Sequence, residues 1–168
     1  MPLTRRHICT GFMTMTLAAC GFKPRQPMAY DFKVIYVPPT PSALLTELKR
    51  GLAAGAQVEV LQDPRQWERA DLSFDLLQET REKVVIGRTS TGGVREFQLR
   101  LRVRFRVRDK AGIERIPETE LLQQRDMSFI ETNILAKEQE EELLYRNMQT
   151  DVVQQILLRL ARLRPNGG

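Results

Sequence analysis

The chain has 168 residues, 42% of them hydrophobic and 28% charged, with a formal net charge of +5. Its length suits a single domain that buries roughly two-thirds of its chain surface, and so mild a charge excludes a generally polycationic protein and makes the placement of charge more informative than its sum. With only two cysteines and one histidine, a disulfide scaffold and a Cys- or His-rich metal site are excluded at the outset.

Arg5 and Arg6 precede a mostly apolar stretch over residues 8–17, and Leu17-Ala18-Ala19-Cys20 follows. A positive start, an apolar centre and small residues at the end are the layout of a secretory signal peptide. Ten residues of helix span only about 15 Å, half the hydrocarbon core of a bilayer, so the stretch is not a transmembrane span. The L-A-A-C ending matches a lipobox, in which cleavage precedes a cysteine that carries diacylglycerol. Residues 1–19 are therefore expected to be removed and Cys20 to be lipidated, with acyl chains anchoring the protein at about 0.8 kcal/mol per buried CH₂. Gly21, rather than an aspartate, follows Cys20, which favours the outer membrane. Residues 20–31 contain Pro24 and Pro27 with Lys23 and Arg25, and read as a tether.

His7 and Cys9 leave with the signal. The mature chain then has no histidine and no cysteine beside Cys20, which excludes a disulfide, His or Cys metal sites, and Cys–His or Ser–His nucleophiles. No glycine-rich phosphate loop is present. These absences point away from an enzyme, with no cofactor and no metal expected.

Along the domain, residues 32–37 (F-K-V-I-Y-V) form a β-branched and aromatic run closed by Pro38 and Pro39, the first strand. Ser42 is placed to cap a helix whose Leu44, Leu45, Leu48 and Leu52 make one apolar stripe, ended by Gly55. Residues 58–61 are either a short strand or a lead-in, and Trp67 reads as a lid over one end of the core. Residues 70–86 form the second main strand. Its alternation breaks at Leu77, which predicts a bulge near Gln78. Residues 87–93 are a hairpin connection, and Arg88, Thr89 and Ser90 within it are candidate partner contacts.

Residues 94–109 carry the clearest pattern. Phe97, Leu99, Leu101, Val103, Phe105 and Val107 alternate with Arg100, Arg102, Arg104, Arg106 and Arg108. After a turn at 110–112, residues 121–130 form the last strand. A long helix follows over about 134–163, capped by Thr132 or Asn133, with Leu144, Met148, Val152, Ile156, Leu160 and Leu163 on one face. Glu140, Glu141 and Glu142 read as solvated helix surface. The expected fold is α+β, with two helices on one face of a mainly antiparallel four-stranded sheet in the order β-α-β-β-β-α. One periplasmic domain covers residues 32–164, and 165–168 form a tail.

Arginines at every second strand position stand about 6.8 Å apart and repel one another. They require either cross-strand partners on the preceding strand, for which Asp71, Ser73, Asp75 and Glu79 are placed, or an anionic ligand, whose oxygens the planar guanidinium fork suits. Arg100, Arg102, Arg104 and Arg106 are the candidate ligand-binding residues. The face has no interleaved aromatics to stack bases, and an exported chain meets little nucleic acid, so nucleic acid is not expected as a partner.

The L-A-A-C-G-F-K-P opening, the helix after a short strand, the long arginine-bearing hairpin and the closing Q-Q-I-L-L-R-L of the last helix resemble the lipopolysaccharide-assembly lipoprotein family LptE. The L-A-K-E-Q-E-E-E run at 135–142 is similar to α-proteobacterial versions. The resemblance implies two helices against a four-stranded sheet. It also implies an outer-membrane lipoprotein facing the periplasm and a barrel lumen, where it plugs the β-barrel LptD, assists its folding and binds lipopolysaccharide in transit. An auxiliary lipoprotein of another envelope lipid-transport machine of ABC type is the alternative.

Overall fold

The computed structural model describes residues 28–55, 58–129 and 134–163. The expected signal peptide, lipidated Cys20, helix caps Thr132 and Asn133, and tail lie outside them. The element order is β1 (Val34–Tyr36), α1 (Ala43–Gly55), β2 (Glu59–Leu61), a 3₁₀ helix (Pro64–Arg69), β3 (Leu72–Arg88), β4 (Val94–Asp109), β5 (Glu114–Ser128) and α2 (Ile134–Ala161).

The sheet has five strands in the order β2-β1-β3-β4-β5, one more than expected. Residues 59–61 supply the added strand, pairing in parallel with β1 at the edge. Three residues are too few for alternation to declare itself, so only the pairing reveals the strand. β1 also runs parallel to β3, whereas β3–β4 and β4–β5 are antiparallel. The sheet is thus mixed, because two crossovers, one through α1 and one through the 3₁₀ helix, return the chain to the same end. β5 begins at Glu114, seven positions before the expected start. Pro117 obscured it, but the proline sits on an edge strand where two residues of β5 face one of β4 between Ile116 and Thr119, a site that tolerates a missing N–H.

Both helices share one core. Leu44, Leu45, Leu48 and Leu52 of α1 and Met148, Val152, Ile156 and Leu160 of α2 are fully buried with Leu99, Val103, Phe105 and Val107 of β4. Ser42 caps α1 as expected: its Oγ accepts from Leu45 N at 3.1 Å. The helices approach closely at Gly51, where a Cβ would stand 2.6 Å from Leu157 Cδ1. Trp67 is not a lid: the 3₁₀ helix that carries it has no buried residue.

The expected bulge is present at Leu77. Leu76 faces Phe105 and Gln78 faces Arg104, so beyond it Glu79, Arg81 and Lys83 lie on the helix side, opposite Val103, Leu101 and Leu99. There Ser42 Oγ donates to Glu79, Arg81 pairs with Glu142 at 3.2 Å and Lys83 with Glu141 at 2.6 Å. The helix acids expected to be solvated are therefore partly paired.

Tyr145 closes this polar layer. It is 5% exposed, and its hydroxyl donates to the Glu82 carbonyl oxygen at 2.7 Å. Burial raises its pKa, the Glu141 carboxylate adds to the shift and Arg81 opposes it. A folded pKa above the unfolded one means the contribution is complete below about pH 10 and is lost as pH rises through the folded value. Tyr145→Phe is expected to cost about 1 kcal/mol at neutral pH and to flatten the alkaline fall in stability. Thermal melts of both proteins at neutral and strongly alkaline pH check this; parallel pH profiles would refute it.

Candidate functional site

Strict alternation on β4 fixes the site: once Leu99, Leu101, Val103, Phe105 and Val107 enter the core, the intervening arginines must leave by the other face. The outer face consequently presents Arg100, Arg102, Arg104, Arg106 and Arg108 in one row, flanked by β3 and β5.

The row is largely compensated. Arg102 pairs with Glu120 and, at 4.0 Å, with Glu82. Arg104 pairs with Glu118 and donates to Gln78 Oε1 at 3.4 Å. Arg106 donates to Asp75 at 2.9 Å and lies 3.8 Å from Glu114, while Arg108 reaches Asp75 at 2.8 Å. The hydrogen bond to Asp75 raises the pKa of Arg106 against a smaller desolvation effect.

Of the acids the sequence offered as partners, only Asp75 takes that role. Asp71 instead accepts from the backbone N–H groups of Lys33 and Val34, and Glu79 turns to the helices behind the bulge. Ser73 contributes only a long bond to Asp75. The acids that matter most, Glu114, Glu118 and Glu120, lie in the part of β5 before residue 121, where Pro117 hides the strand from the sequence pattern. Their signal was the alternation of Glu118, Glu120 and Leu122 outward against Leu121 inward.

Arg100 differs from the other four. Its Nε donates to Gln98 Oε1 at 2.8 Å, and among the described residues no carboxylate lies within ion-pair distance of it. Its direct cross-strand neighbours are Glu82 and Gln124. Its diagonal ones include Val84 and Leu122, which are 36% and 40% exposed. An available guanidinium beside exposed apolar side chains suits a ligand that carries an anion next to an apolar chain.

At the far end of the same hairpin, Arg88, Thr89 and Ser90 form the tip. Arg88 Nη1 donates to the Gly92 carbonyl, and Thr89 N donates to that of Gly93. Gly92 adopts φ +90°, which the turn needs and which glycine supplies without strain. Val85 and Ile86 add exposed apolar surface below the tip. Among the described residues no cluster of His, Cys, Asp and Glu fits a metal ion, and no helix is long and apolar enough to cross a membrane.

Residues 32–160 match the LptE family, described as lipopolysaccharide-assembly. The chain belongs to the LptE family. No curated protein matches it, whereas solved structures do. An uncharacterized lipoprotein B from Nitrosomonas europaea is 32% identical with a TM-score of 0.69, covering 82% of this chain and 88% of that one. The rare lipoprotein B from Shewanella oneidensis is 22% identical at TM-score 0.64, covering 77% and 93%. A minor lipoprotein from Acinetobacter baumannii is 24% identical at TM-score 0.59, covering 80% and 93%; these last two likenesses carry the fold alone. Membership of LptE gives the chain a role in lipopolysaccharide assembly, and the match takes in both helices' cores and the whole arginine row.

Proposed function

We propose that the protein is an outer-membrane lipoprotein, held by acyl chains on Cys20, that plugs and helps assemble an LptD-type β-barrel and binds lipopolysaccharide on its way to the cell surface. The observation that carries this reading is the LptE match over residues 32–160. The outer face supports it. A plug needs a hydrophilic surface toward a wet lumen, and paired charges provide one without a large single-sign field. Lipopolysaccharide combines phosphates with acyl chains, the combination that Arg100, Val84 and Leu122 suit. The protein's work is then binding and positioning rather than catalysis.

The hairpin tip is the part assigned to the barrel. A photo-crosslinker at Thr89, activated in native membranes, is expected to yield an adduct with a heat-modifiable β-barrel protein. An adduct with components of an ABC-type lipid transporter instead, or none at any tip position, would overturn the assignment.

A further inference from the structure

A sheet in the order β2-β1-β3-β4-β5 has β2 and β5 as its edges, and they are guarded unequally. Proteins blunt free edges with short strands, prolines, bulges and charges. β2 is three residues long, too short to seat another strand. β5 spans Glu114–Ser128, and Pro117 and the irregular pairing are confined to its start. From Thr119 to Ser128 the register with β4 is unbroken, and the segment holds neither proline nor glycine.

One hydrogen bond fixes which backbone groups point off this edge. Phe129 N donates to Arg95 O at 2.8 Å, and antiparallel pairs alternate between bonded and unbonded. Met127, Arg125, Gln123 and Leu121 therefore bond to β4, while Glu120, Leu122, Gln124 and Asp126 turn N–H and C=O outward. Among the described residues no strand lies beyond them. The Gln124 carbonyl accepts from Arg125 Nη1 at 2.8 Å, and its second lone pair stays open. The same four residues carry their side chains on the arginine face, where Leu122 is exposed.

The edge side chains define what fits. Glu118, Glu120 and Asp126 bond across to Arg104, Arg102 and Gln98 of β4. A carboxylate accepts at about four sites, so each keeps capacity on its other flank. A neighbouring strand with basic or hydroxyl side chains on that face meets these acids, and an apolar one meets Leu122. A second copy of this chain fits poorly. Antiparallel self-pairing centred on Leu122 sets Glu118 against Asp126, and centred on Gln123 it sets Glu120 against Asp126, like charges directly opposite. Centring it further along shortens the overlap, since β5 ends at Ser128.

We propose that β5 receives an extended segment of the barrel protein as a sixth strand, paired along residues 120–126. The proposal rests on the plug reading above. Strands of a closed barrel wall are paired on both sides. The segment is therefore one that leaves the wall and lies in the lumen, polar and bearing cations level with the arginine row. Strand addition takes its affinity from main-chain hydrogen bonds and its specificity from alternate side chains. It fixes the plug's rotation in the lumen as well as its depth, because a one-residue slip moves the segment's cations to the opposite face.

Two measurements in native membranes test the added strand. Gln124→Cys is expected to form disulfides with cysteines placed at every second residue of one barrel segment, and Gln123→Cys with the residues between. Leu122→Pro with Gln124→Pro removes two N–H groups that β4 does not use, a change an edge strand tolerates. The proline pair is expected to lower the barrel recovered with the protein about tenfold, against less than about two-fold for alanine at both positions, with the melting temperature close to the parent's. Should the proline pair fail to fold, the disulfide period decides alone. Disulfides without a two-residue period, or equal recovery with proline and alanine, overturn the added strand. A barrel adduct from Thr89 with none from Gln124 also overturns it and leaves the plug reading intact. Periodic disulfides to a protein that is not a barrel, or between two copies of this chain, overturn the occupant, and the former ends the plug reading with it.

Discussion

Arg100→Glu is expected to weaken lipopolysaccharide binding about ten- to a hundredfold, whereas Arg104→Glu is expected to weaken it less than about threefold. The first range follows from the 1.5–3 kcal/mol that a hydrogen bond to a charged group typically contributes, at about 1.4 kcal/mol per factor of ten. The contrast follows from the pairing. Arg104 already holds Glu118 and Gln78, and a phosphate must displace them before it gains anything. Arg100 holds only a neutral amide and has Val84 and Leu122 beside it for acyl chains. Neither change should move the melting temperature much, because exposed ion pairs contribute about 0–1 kcal/mol. Binding of both variants to immobilised lipopolysaccharide decides the point. Equal losses would return the site to the whole row, and no loss in either would leave the row as a solvated, acid-paired surface.

The largest effect on stability is expected from Phe105→Ala. Phe105 is fully buried and stacks on Phe74 at 5.4 Å between ring centroids. Truncating it removes the ring's transfer energy, that contact, and the fit of α1 and α2 over the sheet, together about 3–5 kcal/mol. A domain of this size holds about 5–15 kcal/mol in all, so the melting temperature should fall by roughly 10–15 °C. The effect reaches the outer face, since Phe105 sits between Arg104 and Arg106 on β4. Denaturant unfolding with an unchanged slope and a lower midpoint checks the size; a loss under 1 kcal/mol would mean that the core is centred elsewhere.

Sequence made the long elements legible and the short or compensated ones opaque. β4 declared itself because burial on one face and solvent on the other impose a strict two-residue period over many turns of the pattern. Helices α1 and α2 declared themselves through Leu44–Leu52 and Met148–Leu160, which recur every three or four residues. The edge strand β2 stayed one of two readings of residues 58–61, since three residues carry no period and only pairing with β1 decides between them. The first half of β5 was hidden by Pro117, whose lost N–H matters inside a sheet and not at this bulged edge. Trp67 was misread because its size suggests burial, while the turn that carries it runs outside the core. Arg88, Thr89 and Ser90 are placed by the fold at a tip. The identity of the available arginine depended on which acids β5 sets beside its neighbours, a matter of register rather than composition.

The extra residue at Leu77 decides how much like charge one surface must bear. Had Leu77 kept a place in the ladder, Arg81 would have faced Arg100 and Lys83 would have faced Gln98, adding two cations to the row of five and leaving Glu141 and Glu142 on α2 unmatched. Pairing would instead have brought Glu82 to the helices, acid against acid. One inserted position thus sorts the charges of two layers at once. Removing Leu77 altogether, which restores an ordinary ladder with the same partners on either side, should be far better tolerated than adding a residue next to it.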